Sequence, residues 1–92
     1  MQFVIYCLDQ PNAAQIRATN RPAHIEYLKG FTKSIVVAGP LLAEDGAGMI
    51  GSLLVMDFAD RAEAERFSQN DPFRKAGLFQ SIAITPWRKT LP

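Results

Sequence analysis

Two apolar runs restrict what this chain can become more than any other feature. Phe3 to Leu8 reads Phe-Val-Ile-Tyr-Cys-Leu, and Gly51 to Phe58 is continuously apolar through Leu53, Leu54, Val55 and Met56. A strand with one wet face alternates apolar and polar residues. An unbroken apolar strand rich in β-branched and aromatic side chains expects cover on both faces. These two runs therefore predict the inner strands of a sheet, and whatever else the chain forms has to be arranged around them.

After the first run, Asp9 to Asn12 is a break, and Pro11 and Asn12 open a helical stretch from about Ala13 to Phe31. Asn20-Arg21-Pro22 interrupts it. Proline lacks the N–H and crowds the preceding turn, so a kink or a restart is expected there. Ser34 to Leu42 reads as a second strand and Ala43 to Met49 as a glycine-bearing loop. Beyond the third strand, Asp60 is placed to cap a helix, with Glu63 in the position of a capping box. Ser68 to Phe79 forms a turn, and Phe79 to Trp87 a last strand with Gln80, Ile82 and Ile84 on one face.

The order β-α-β-β-α-β is the split-βαβ, ferredoxin-like pattern, an α+β fold with a four-stranded antiparallel sheet and two helices on one face. In that topology the first and third strands are central and the others are edges. Pro40 and Pro86 fall in the edge strands, where a missing N–H is tolerated, and the central strands contain no proline. Two helices cover one face only. The apolar character of the inner strands then calls for a second cover, which a partner copy supplies most simply, as a homodimer with sheets face to face.

The 92 residues suit one domain over 1–92, and a hydrophobic content of 48% with 21% charged residues suits a folded globule. A net charge of +1 provides no electrostatic reason for a nucleic-acid or membrane partner. One cysteine, Cys7, rules out a disulfide within the chain and suits a reducing, cytoplasmic setting. No leader pattern and no long apolar span is apparent.

Chemistry-bearing residues are few. Arg17, Arg21, His24 and Leu28 follow one another at intervals of four, three and four, so they share a face if the helix continues through Pro22. His24 is the one histidine, and imidazole is the side-chain type suited to proton transfer near neutral pH. Either arginine could hold a carboxylate bidentately. Equally, the arginines could be solvated and His24 packed on Leu28 and Phe31. Asp71, beside Asn70 and followed by Pro72 and Phe73, is either a helix or turn cap or the orienting partner of His24. A His24–Asp71 dyad moving a proton is more economical than a triad, since Ser52 lacks the context of a nucleophile elbow. Gly39, Pro40, Gly51 and Ser52 could line a pocket, or mark simple bulges. Tyr6 offers a hydroxyl, and Cys7 points to the opposite face as inert packing. One His and one Cys do not make a metal site, and no phosphate loop or dinucleotide fingerprint is present. RNA-recognition domains share this element order, but the third strand lacks their basic and aromatic positions.

Val4-Ile5-Tyr6, Arg21-Pro22-Ala23-His24, Ala38-Gly39-Pro40, Gly51-Ser52, Asn70-Asp71-Pro72-Phe73 with Ala76-Gly77, and Pro86-Trp87-Arg88-Lys89 together resemble the YciI (YCII-related) family, in its order and over nearly the whole chain. The resemblance implies a dimeric α/β barrel related to the muconolactone-isomerase type, and an active site pairing the motif histidine with the aspartate of the Asp-Pro turn. Those positions are His24 and Asp71. Dehydrochlorination of a chlorinated hydroquinone is among the activities attributed to the family. The loop before Gly51 is shorter than in some relatives.

The expectation is a small cofactor-free enzyme performing elimination, dehydrochlorination or isomerisation on a small, aromatic or carboxylated molecule. His24 is the base or acid, Asp71 its orienter, and Arg17 or Arg21 an anion anchor. Tyr6, Gly39, Pro40, Ser52 and Phe73 shape the pocket. The alternative is a noncatalytic dimeric module that binds a metabolite or serves as an accessory.

Overall fold

A computed structural model describes residues 1–92. Seven elements follow in order: β1 (Gln2–Asp9), α1 (Ala14–Lys29), β2 (Ile35–Leu42), β3 (Met49–Asp57), α2 (Arg61–Gln69), α3 (Pro72–Lys75) and β4 (Phe79–Trp87). The sheet is antiparallel throughout and ordered β2-β3-β1-β4, so the two continuously apolar strands are the inner pair. Pro40 and Pro86 lie in the edge strands β2 and β4.

Register decides which residues face the helices. Cys7 pairs with Ser52 and Ile5 with Leu54, so the buried Phe3, Ile5, Cys7, Leu54 and Met56 point one way. With Phe58, Ala64 and Phe67 they form the main core, on which Tyr27, Leu28 and Phe31 of the first helix region pack. Side chains of intervening positions point the other way. There Tyr6 sits opposite Leu53 and Val37 opposite Val55, with Tyr6 40% and Val37 55% exposed. The inner strands are apolar on both faces, but this chain's helices cover only one of them.

Local chemistry accounts for the helix ends. The Asp60 carboxylate accepts the Glu63 N–H at 2.9 Å, capping α2. Of the kink or restart expected at Pro22, the restart does not occur: α1 continues from Ala14 to Lys29 with no second start. Pro22 and Ala18, whose carbonyl loses its partner, are both on the exposed side, where solvent can serve the freed carbonyl. The turn after α2 holds a short helix, α3, that periodicity could not reveal in four residues.

Two sheet irregularities also matter. Leu8 pairs with Ser81 but Asp9 with Phe79, which leaves Gln80 as an extra residue in β4. The bulge moves Gln80 off the face of Ile82 and Ile84, correcting the sequence reading, and brings Phe79 onto it. At Gly51 a Cβ would collide with the Cys7 carbonyl oxygen, so glycine is required there by the chain's own backbone rather than by a ligand.

Cys7 is buried, and that burial, with Asp71 and Asp9 adding negative charge nearby, pushes its thiol up to about 12. An acid with a raised pKa keeps its proton at neutral pH, and only the thiolate reacts. Iodoacetamide at neutral pH should therefore modify the native chain more than about a hundredfold more slowly than the urea-unfolded chain. Mass spectrometry showing equal rates would contradict the burial of Cys7.

Candidate active site

Arg17 and His24 lie two turns apart on α1, and they are the helix's buried residues, at 5% and 6% exposure. A helix whose inward stripe is an arginine and a histidine has to find polar partners for them, since unpaired burial is costly. The partners come from two distant segments.

His24 meets Asp71. Its Nδ1 lies 2.8 Å from Asp71 Oδ1, with both side chains buried. Asp71 is also the N-cap of α3, and the same Oδ1 accepts the Phe73 N–H at 2.9 Å. Cap and histidine partner thus coexist on a single oxygen. The imidazole stacks on the Phe73 ring at 4.0 Å between centroids and 15° between planes, which fixes its plane as well as its position.

A carboxylate at Nδ1 selects the tautomer with the proton on Nδ1, leaving a lone pair on Nε2. Nε2 has no partner in the chain, yet no buried polar side-chain atom is left unsatisfied, so Nε2 is open to space outside the protein matrix.

Arg17 meets Asp9 at the end of β1. Nε and Nη2 contact Oδ2 and Oδ1 at 2.8 and 3.0 Å, a bidentate pair, and Nη2 also donates to Ser52 Oγ at 3.0 Å. The Arg17 guanidinium carbon lies 4.7 Å from the Phe73 ring centre, so Phe73 contacts both buried polar residues of α1. Asp9 is not among the site residues expected from the sequence, where it begins the break between the first strand and the helix. No local pattern marks it, because its partner lies on a helix that the fold brings back over β1. Arg21, in contrast, is exposed and forms no ion pair.

His24, Arg17, Arg21, Gly39, Pro40 and Ser52 border one cavity of about 120 Å³, with Ile25, Leu28, Ala38 and Leu54 as its apolar wall. Asp71 and Phe73 lie behind it rather than on its surface: Phe73 is wholly buried and backs the His24 ring. Tyr6 does not join them, since it pairs with Leu53 on the opposite sheet face from Ser52 and Cys7. That is a correction to its place as a pocket residue: the pleat puts Tyr6 and Cys7 on opposite faces, and the helices pack on the Cys7 side. A larger, shallower cleft of about 650 Å³ lies at Met1, Gln2 and Pro86–Lys89. It contains neither His24 nor a carboxylate side chain. No group of three or more His, Cys, Asp or Glu side chains comes together as a metal site.

Residues 1–88 match the YCII-related domain. The chain belongs to the YCII-related family. It is 29% identical over 96 residues to protein YciI of Escherichia coli, covering 97% of this chain and 98% of that one. An uncharacterised protein of Haemophilus influenzae has the same identity and coverage. Among solved structures, a 5-chloro-2-hydroxyhydroquinone dehydrochlorinase (TftG) from Burkholderia phenoliruptrix, in complex with 2,5-dihydroxybenzoquinone, superimposes with a TM-score of 0.91. It is 38% identical and the match covers 98% of this chain and 96% of that one. The ferredoxin-like α+β architecture expected of a YCII-related chain is therefore the observed one. No helix is long and apolar enough to cross a membrane.

Proposed function

We propose that this YCII-related chain is a proton-transfer enzyme acting on a small ring or carboxylated molecule by elimination, dehydrochlorination or isomerisation. The observation that carries the reading is the buried 2.8 Å contact between His24 Nδ1 and Asp71 Oδ1, with Nε2 open beside a cavity. Nε2 takes a proton from the substrate, and Asp71 balances the imidazolium that results. In an elimination the electron pair left behind forms the new double bond as chloride or another leaving group departs. Arg21, free of any carboxylate, is the anchor at the rim for a carboxylate group; Arg17 has Nε and Nη2 committed to Asp9 and keeps only Nη1 without a partner. Likeness to a dehydrochlorinase supports the elimination class.

The test is chloride release from 5-chloro-2-hydroxyhydroquinone, compared between the natural chain and His24→Gln. Ligand binding without turnover, unchanged by His24→Gln, would favour the noncatalytic module instead.

The same reading includes a homodimer. Tyr6, Leu53, Val4 and Val37 form an apolar sheet face that α1 and α2 do not cover, and a second copy applied face to face would bury it. Sedimentation at micromolar concentration should report twice the chain mass, and Tyr6→Lys with Leu53→Lys should return it to one.

A further inference from the structure

Ser52 has a hydroxyl proton with no acceptor inside the chain. It is 4% exposed, its Oγ accepts from Arg17 Nη2 at 3.0 Å, and it borders the His24 cavity. Arginine only donates, so this contact occupies an oxygen lone pair and turns the O–H away from Arg17. Arg17 itself is held on Nε and Nη2 by Asp9 and Ser52. Its Nη1 has no partner, and since no buried polar side-chain atom is unsatisfied, Nη1 also reaches open space in a residue that lines the cavity. No carboxylate borders that cavity. Among the side chains that border it, His24 is the one base, and Arg17, Arg21 and Ser52 bring donors.

We infer that Ser52 Oγ–H and Arg17 Nη1 form an oxyanion site, held in place by Asp9, for the oxygen of a single-ring phenol, enol or hydroxyquinone. The inference rests on His24 being the base and adds the other half of the chemistry. Removing a proton leaves negative charge that delocalises onto oxygen, and fixed donors aimed there stabilise it without rearrangement. Asp9 is a positioning residue: its bidentate grip prevents the guanidinium from swinging, and Ser52 and Arg17 are the groups that touch the anion. Size agrees with the class. The cavity of about 120 Å³ is slightly smaller than the roughly 150 Å³ that accepts benzene in an engineered core, and Arg21 on its border is exposed to solvent.

The probe is 4-nitrophenol, whose anion is yellow, with 4-nitrotoluene as a ring of the same shape that cannot ionise. Bound 4-nitrophenol should ionise at lower pH than the free phenol, read from its visible absorbance. Ser52→Ala should weaken nitrophenolate binding about tenfold or more, as expected for loss of a hydrogen bond to a charged group, and move the ionisation back toward that of the free phenol. It should leave nitrotoluene affinity unchanged. Asp9→Asn should move the ionisation in the same direction with Ser52 in place. Equal loss for both probes in Ser52→Ala, or no change for either, overturns the oxyanion site, as does failure of nitrophenolate to bind at millimolar concentration.

His24→Gln separates the two claims. It should keep the ionisation shift while abolishing turnover. A shift lost in His24→Gln but kept in Ser52→Ala assigns the charge stabilisation to the imidazole and overturns the inference. Turnover kept in His24→Gln with the shift lost in Ser52→Ala leaves the oxyanion site standing and removes His24 as the base.

Discussion

Replacing His24 with Gln is expected to lower turnover by at least about a hundredfold, the ordinary contribution of a positioned acid–base group. Glutamine keeps an amide N–H for Asp71, so the buried carboxylate need not lose its partner, and a cooperative thermal melt should persist. Asp71→Asn is the sharper variant. Asparagine is as good an N-cap as aspartate, so α3 should keep the Phe73 N–H contact now made at 2.9 Å. The oxygen that holds this cap is also the one at Nδ1, so the tautomer should survive, but the negative charge that balances an imidazolium would be gone. Activity should therefore fall clearly, though less far than in His24→Gln, because the base keeps its lone pair and loses only the balancing charge. Steady-state chloride release with circular dichroism checks both. Full activity in Asp71→Asn would mean that the 2.8 Å contact serves only the fold.

Asp9→Ala should destabilise the chain by about 3–5 kcal/mol, because it strands a buried guanidinium rather than removing a balanced pair. The Asp9 and Arg17 side chains are 7% and 5% exposed, so solvent does little to screen the loss. For a domain holding about 5–15 kcal/mol in total, that is a large fraction, and urea unfolding should show the midpoint falling accordingly. Adding Arg17→Met should recover part of it, since an apolar replacement of both partners leaves no orphaned charge. If Asp9→Ala costs no more than a surface substitution, the bidentate pair is not sealed as the structure has it.

The two variants separate the halves of the buried polar layer between α1 and the sheet. His24–Asp71 is expected to answer to activity, whereas Arg17–Asp9 is expected to answer first to stability and only then, through Ser52 and Arg17 Nη1, to the site. Phe73 joins them, since its ring meets both His24 and the Arg17 guanidinium. That explains why the Asp-Pro-Phe turn carries so much of the molecule: one residue caps, one begins a helix, and one is the floor on which both polar side chains rest.

Much of this was legible from residue order. Unbroken apolar character in Phe3–Leu8 and Leu53–Met56 marked the inner strands, and prolines 40 and 86 marked the edges, because hydrogen-bonding and burial act locally enough to leave a pattern. The pairing of His24 with Asp71 was legible only with help. The residue types were suggestive, and a family resemblance singled out the pair, but 47 positions separate them. Four things were decided by tertiary structure alone. The bulge at Gln80 depends on cross-strand register. Tyr6 falls away from the cavity because a pleat alternates sides from a reference that only the packed helices define. Asp9 became a partner because α1 returns across the end of β1. Arg17 gives Nε and Nη2 to that carboxylate and keeps only Nη1, leaving Arg21 as the arginine of the pair without an ion pair. Local propensity and hydrophobic period are short-range and survive in the sequence; which charges meet depends on how elements dock, and that is settled only when the core closes.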